Sequence, residues 1–355
     1  MFKVFVLLAA LYSTKTVVDS GHLKEIDPHF NGTCKSVENI PGPEDITVLD
    51  NGLAIISSDF RRKIDRTSLL YPIENNNINS LQGNIYFYDL NNNNSVPLNM
   101  TENLNFEFHP HGISTYLDDQ NNLYLSVVNH TSKGHFIEFF YYNNTELKHL
   151  KTISNPLLVS PNDIVLINES QFYVTNDHGF SKPFFKLFED YLQMSKSNIL
   201  FYDGSAFIEV AKDLQMANGI NISRDKKIVY CAETIGQKLN IYRRNQLDNS
   251  LSLLESLDID SGLDNIEIDF DGNLYIGSHP KLFDFIKHAK DKTHFSPSQV
   301  FRISSDYTLI EEIFLSEGDD LSASTVGAFY NNILLIGAVF DNHFLHCELE
   351  DDAIY

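Results

Sequence analysis

The chain has 355 residues, a formal charge of −22, 43% hydrophobic residues, 26 Phe, 17 Tyr and three Cys. So acidic a chain lacks the basic patches that phosphate backbones require, which excludes nucleic acid as a partner, and no stretch reaches the ~20 apolar residues of a membrane-spanning helix. No linker-like stretch interrupts residues 30–350, so the length and the aromatic content suit one closed all-β domain.

Residues 1–20 resemble a signal leader: Lys3 precedes the apolar run Val4–Tyr12, and small residues follow. The leader is expected to be cleaved or retained as an anchor, and residues 21–355 to form the globular domain. Cys34 follows the leader, and Cys347 stands in the last apolar run. A ring of strands closes by joining its first and last segments. A disulfide there would close a loop of about 300 residues, worth roughly 3–5 kcal/mol; two unrelated buried thiols are the alternative. Cys231, inside Ile228–Ala232, reads as a buried inert thiol.

Along the chain, strand, polar turn and strand recur. Ile46–Val48 leads through Asp50-Asn51-Gly52 to Leu53–Ile56, and Ile113–Thr115 through Asp118–Asn122 to Leu123–Val128. Ile266–Ile268 and Leu274–Ile276 repeat the unit, as do Val326–Ala328 and Ile333–Ile336. Residues 59–80 have no clear period and read as a long loop of the kind that forms lids. Phe184–Met194 has apolar residues at 184, 185, 188, 191 and 192, which is helical spacing. This short helix is expected over the site face, either binding an apolar surface or roofing the domain with its apolar side.

Each unit opens on polar residues just before a β-branched one: Glu44-Asp45-Ile46, His111-Gly112-Ile113, Asn162-Asp163-Ile164, Asn218-Gly219-Ile220, Asp264-Asn265-Ile266 and Ser324-Thr325-Val326. They recur 46 to 67 positions apart. A repeat near 50 residues with several short strands per unit predicts a six-bladed β-propeller. The first strand of each blade lines the central tunnel, so these openings bring hard oxygen donors together, as Ca²⁺ requires. Any one such pair, alone, would be an ordinary turn or solvated strand end.

His111 lies in one of these openings, and His130 ends the neighbouring strand of the same unit. On adjacent strands the two imidazoles could come within hydrogen-bond reach as a general-base pair; the plainer reading of either is a hydrogen-bonded structural residue. No Gly-x-Ser-x-Gly elbow supports a serine triad.

Pro43-Glu44-Asp45, Asn51–Ala54, Pro110–Thr115, Val127–His130, Asn162–Val165, Thr175–His178, Ala217–Ser223, Asp264–Ile266 and Ser324–Val326, in this order, resemble the paraoxonase/arylesterase family from about Cys34 to Leu349. The resemblance implies two calcium ions in the tunnel. Glu44, Asn162, Asn218, Asp264 and Asn265 would hold the catalytic ion; Asp45, Asp163 and the Ile113 carbonyl would hold a deeper structural one. It implies His111 as proton acceptor with His130 as its partner, and a Cys34–Cys347 disulfide. It also implies hydrolysis of lactones and aryl esters, with organophosphate triesters as secondary substrates. The protein would be secreted, with a lipid particle or membrane surface as a further partner through its leader. Ser278 stands where the family has a free cysteine before His279-Pro280, and Met216 where it has an aromatic pocket residue; the 59–80 loop matches poorly. A gluconolactonase-like sugar-acid lactonase and a non-catalytic calcium-stabilised binding propeller are the alternatives.

Seven Asn-x-Ser/Thr sequons fit a secretory route. Asn31, Asn93, Asn99, Asn143 and Asn168 are the candidates for glycans. Asn129 and Asn221 are expected to stay bare, because they adjoin the tunnel.

Overall fold

Six antiparallel sheets form the blades of a propeller in the computed structural model, which describes residues 12–64 and 81–350. The inner strands, blades 1 to 6, are Pro43–Val48, Pro110–Leu117, Pro161–Leu166, Ala217–Ile222, Gly262–Ile268 and Ser324–Tyr330. The chain closes the ring from its N-terminal end. Gly32–Glu38 is the outermost strand of blade 6, beside His343–Leu349, and His29–Phe30 adds a fifth strand to blade 5. Cys34 pairs with Cys347 in that ladder, Cα atoms 3.9 Å apart, and the two form the expected disulfide. Cys231 is buried, and burial followed by the nearby Glu233 pushes its thiol well above the usual range.

The apolar core sits between blades. Six wedges of buried side chains each join two neighbours: Ile56 and Val326 between blades 1 and 6, Phe108 and Phe140 between 1 and 2, Phe139 and Phe172 between 2 and 3. Tyr173 and Val229 join blades 3 and 4, Ile241 and Ile276 blades 4 and 5, Tyr275 and Leu334 blades 5 and 6. Each fully buried side chain of this size contributes roughly 1.5–3 kcal/mol. Because the wedges hold the ring together, the axis is left free for polar groups.

One backbone device recurs in all six blades. The first hairpin shifts register where the polar opening lies, between Pro43 and Asp45, Pro110 and Ile113, Pro161 and Ile164, Ala217 and Ile220, Leu263 and Ile266, and Ser324 and Val326. A regular strand sends consecutive side chains to opposite faces, whereas a bulge with one extra residue re-aims them. Both members of Asn162-Asp163 and of Asp264-Asn265 are therefore buried near the axis. Where inner strands of neighbouring blades approach closely, the sequence supplies glycine. A Cβ on Gly112 would lie 2.4 Å from Asp163 Oδ1, and one on Gly219 2.4 Å from the Asp264 carbonyl oxygen.

Residues 12–19 are helical, as are Pro183–Tyr191 and Leu282–Lys290, with a single helical turn at Arg61–Ile64. The helix expected at Phe184–Met194 is thus present but shorter at its C-terminal end. Leu282–Lys290 was not expected, although Asp284 in its first turn and Lys287, His288 and Lys290 in its last match the helix dipole. Arg61–Ile64 opens the segment read as a loop; residues 65–80 lie outside the described ones.

Candidate metal and catalytic site

Glu44, Asn162, Asn218, Asp264 and Asn265, from blades 1, 3, 4 and 5, are each at most 5% exposed. Their amide nitrogens are used. Asn265 Nδ2 donates to Glu44 Oε1 at 3.0 Å and to its carbonyl at 3.1 Å; Asn218 Nδ2 donates to Thr234 Oγ1 at 3.1 Å, and Asn162 Nδ2 to Asp177 Oδ2 at 3.4 Å. With the nitrogens engaged, the amide oxygens face away from these partners. Glu44 Oε2, Asn162 Oδ1, Asn218 Oδ1 and Asn265 Oδ1 are all buried without a hydrogen-bond donor among the described residues. One such group costs about 1–3 kcal/mol. Four from four blades call for a cation, and carboxylate plus amide oxygens are the donors Ca²⁺ takes. Among the described residues no three His, Cys, Asp or Glu side chains form a metal cluster by themselves, so the amides are essential to this set.

One residue further along two of these openings stand Asp45 and Asp163. Asp45 Oδ2 accepts from the Ile113 amide at 2.7 Å, and Asp163 Oδ2 from the Ile220 amide at 2.7 Å. Burial raises both carboxyls well above the ordinary range, and for Asp45 the neighbouring Asp163 and Glu44 add to it. Ile113 thus meets Asp45 through its N–H. Past this pair, away from Glu44, the tunnel continues as a cavity of about 300 Å³ that Glu267, Tyr116 and Lys226 help to line.

His111 is partly exposed, its Nε2 3.5 Å from Glu44 Oε1. Its ring meets that of His130 edge-on, centroids 5.0 Å apart. The structure thus brings the two together by ring contact, with no direct hydrogen bond between them. Instead Arg61 donates to His111 Nδ1 at 2.9 Å and to the Pro110 carbonyl at 3.0 Å, and its guanidinium stands 3.5 Å from Glu44 Oε2. Burial lowers the His111 pKa despite the opposing Glu44. Burial, then His135 and His111, hold His130 well below the usual imidazole range.

Three groups beside the site carried no assigned role in the sequence reading. Arg61 lies in the segment taken as a featureless loop. His279 Nε2 holds Asp264 Oδ2 at 2.9 Å, and Asp177 receives the Asn162 amide. The stretches Thr175–His178 and His279-Pro280 were the only signals for the last two.

Asp177 also anchors the helix Pro183–Tyr191. His178 bridges Asp177 at 2.6 Å and Asp190 at 2.9 Å, and Lys186 donates to Ser160 at 2.5 Å. Burial opposes the charge of His178, but Asp177 and Asp190 outweigh it and push the imidazole up to about 10. Glu189 accepts from the Phe180 amide at 2.9 Å. The helix therefore lays its polar side on blade 3, so it does not roof the domain with its apolar side. Phe184, Phe185, Phe188, Tyr191 and Leu192 are each 44–57% exposed. Tyr12, Lys15 and Thr16 of the N-terminal helix bond to Leu192, Gln193 and Tyr191 at its end.

A family model described as Arylesterase matches residues 23–349. The chain is 38% identical to human serum paraoxonase/arylesterase 1 over 342 residues, covering 92% of both chains. It is 35% identical to rat serum paraoxonase/arylesterase 2 over 339 residues, covering 92% of this chain and 91% of that one. Among solved structures, a gluconolactonase from Xanthomonas campestris superposes with a TM-score of 0.54 at 12% identity, covering 92% of this chain and 99% of its own. The calcium-binding protein regucalcin from Agrobacterium tumefaciens does so with a TM-score of 0.53 at 12% identity, covering 92% and 98%.

Proposed function

The chain belongs to the arylesterase family, and on that premise we propose that it is a calcium-dependent hydrolase of aryl esters and lactones. The observation that carries this reading is the set of buried oxygens drawn from four blades, three amide oxygens without a donor and Glu44 Oε2 with only the Arg61 guanidinium 3.5 Å away. Ca²⁺ held by Glu44, Asn162, Asn218, Asp264 and Asn265 would supply Lewis-acid polarisation of the carbonyl and stabilisation of the developing oxyanion. A second ion at Asp45, Asp163 and the Ile113 carbonyl would neutralise the deeper carboxyls.

Water activation falls to His111, assisted by His130. Because Arg61 donates to its Nδ1, the neutral His111 ring carries its N–H on Nε2, facing Glu44. For Nε2 to accept the water proton, Arg61 has to leave Nδ1 so that the ring takes the Nδ1–H tautomer. Depressed imidazole pKa values keep both rings neutral, and able to accept a proton, at neutral pH. Organophosphate triesters, which share a polarised P=O, are secondary substrates in this reading. Purified protein should hydrolyse phenyl acetate and a panel of lactones, sugar-acid lactones included. Chelation should remove that activity and added Ca²⁺ restore it. Absence of any ester or lactone hydrolysis with calcium present would refute the assignment.

The names of the serum relatives and the leader support secretion. Residues 1–20 would be the leader and 21–355 the catalytic domain. The exposed aromatics of Pro183–Tyr191 suit the interfacial zone of a lipid particle or membrane. Phe184→Ser combined with Phe188→Ser should then weaken liposome flotation; unchanged flotation would remove this helix from the contact.

Glycans divide the sequons by accessibility. Asn129 is fully buried, its Nδ2 donating to the Glu107 carbonyl and to Glu138 Oε1, both at 3.0 Å. Asn221 Nδ2 donates to the Ile266 carbonyl at 2.6 Å beside the tunnel cavity. Glycopeptide mapping from a secreting cell should find both bare. Of the candidates, Asn31 and Asn93 are exposed, while Asn99, Asn143 and Asn168 are half-buried, Asn99 within the short strand Leu98–Asn99 rather than in a turn. Heavy occupancy at Asn221 would displace its strand from the tunnel and Asn218 from the ligand set.

A further inference from the structure

A third histidine extends the pair outward across blade 2. His111 stands on the first strand, His130 on the second, Leu123–Thr131, and His135 on the third, Gly134–Tyr142, directly opposite His130 in the ladder. The His130 and His135 rings are 4.8 Å apart at 87°, and their Nδ1 atoms are 2.7 Å apart. At that distance one nitrogen donates and the other accepts, so the contact fixes a tautomer. The other titratable or charged groups acting on His130 are His111, Arg61 and Asp177, none of which bonds to its Nδ1. Among the described residues no hydrogen-bond partner lies at His130 Nε2.

We propose that His135 is a positioning residue: its Nδ1 accepts a hydrogen bond from His130 Nδ1–H and so keeps the His130 Nε2 lone pair free to accept a proton. The proposal rests on the hydrolase reading above. As the water oxygen bonds to the carbonyl carbon, the water proton is taken at His111 Nε2, the ring being in its Nδ1–H form. It is handed to His130 Nε2 once the two edge-on rings, 5.0 Å apart, close to hydrogen-bond distance. The resulting imidazolium keeps its Nδ1–H on His135. When the tetrahedral adduct collapses and the carbon–oxygen bond of the leaving group breaks, that proton goes to the leaving oxygen, and His130 returns to the Nδ1–H tautomer. A partly buried base whose far nitrogen is held by an acceptor is ready without reorganisation.

The test compares His135→Phe, which keeps a ring but has no acceptor, with His135→Asn, which restores an acceptor oxygen. In the full-length protein with calcium, His135→Phe should lower kcat for phenyl acetate by roughly 10–10²-fold with KM little changed, and His135→Asn should recover most of the loss. Nitrogen-15 spectra of labelled histidines, with His130→Gln for assignment, should show His130 as the Nδ1–H tautomer in wild type and His135→Asn, and as a mixture in His135→Phe. Equal kcat in all three proteins, or an unchanged tautomer in His135→Phe, would overturn the proposal. If the wild type hydrolyses no ester the hydrolase reading fails by itself, and the tautomer spectra then decide the His130–His135 bond alone.

Discussion

Removing divalent cations lowers the melting temperature of the full-length protein by about 5–10 °C, and the loss is greater at pH 8 than at pH 5. Without an ion, Asp45 and Asp163 are buried carboxyls that burial itself, and for Asp45 the adjacent carboxyls, drive towards protonation. Uncompensated buried charge of this kind costs several kcal/mol, and each kcal/mol shifts the midpoint of a domain this size by roughly 2 °C. The pH dependence follows from linkage. A carboxyl with a raised folded-state pKa binds its proton in the fold but loses it on unfolding once the pH exceeds ~4. Stability is therefore present at low pH and is lost as pH rises through the raised folded value. Asp264, which burial moves up to about 6 although His279 works against it, adds to this loss between about pH 4 and 6. Calorimetry at both pH values, on protein whose metal content has been measured, makes the comparison. An identical melting curve before and after verified removal would exclude the two-ion arrangement.

Asp264→Ala should reduce ester hydrolysis by roughly 10²–10³-fold, the loss expected when one member of a charge-stabilising set is removed. Two effects combine. A carboxylate leaves the ring of oxygen donors, and His279 loses its 2.9 Å partner beside them. The wedges between blades do not involve Asp264, so the fold should survive, as its melting curve can show. Glu350→Ala, at an exposed carboxylate near the end of the last strand, serves as the control and should change nothing measurable. Wild-type rates in Asp264→Ala with metal content intact would remove Asp264 from the site.

What could be read from the chain was its periodicity. One or two polar residues before a β-branched one (isoleucine in five blades, Val326 in the sixth), repeated at blade spacing, located all six inner strands, because burial against neighbouring blades favours a β-branched side chain there. The bulge that turns both members of Asn162-Asp163 inward was not legible, since register belongs to the pairing of two strands and leaves no residue signature of its own. Arg61 was hidden for another reason: its segment has no period, and only the closed ring places it against Glu44 and His111. The outward aromatic face of Pro183–Tyr191 was likewise ambiguous, because the choice between lipid and propeller was made by His178, Lys186 and Glu189 in polar contacts that spacing alone cannot reveal.

The ring is sealed by the ends of the chain. Gly32–Glu38 emerges from the ribosome early, yet the strand it needs, with Cys347, follows Cys34 by 313 positions. At ~5–20 residues per second that is roughly 15–60 s of synthesis. During this interval the first segment has no neighbour, and Cys34 is an unpaired thiol in an oxidising compartment if the protein is secreted. Cys231 reaches that compartment before Cys347 does and is the competing partner. Blade 4 buries it within the strand Ile228–Glu233. In a secreted chain, prompt docking of that blade on its predecessor would keep the wrong sulfur out of reach until the right one arrives.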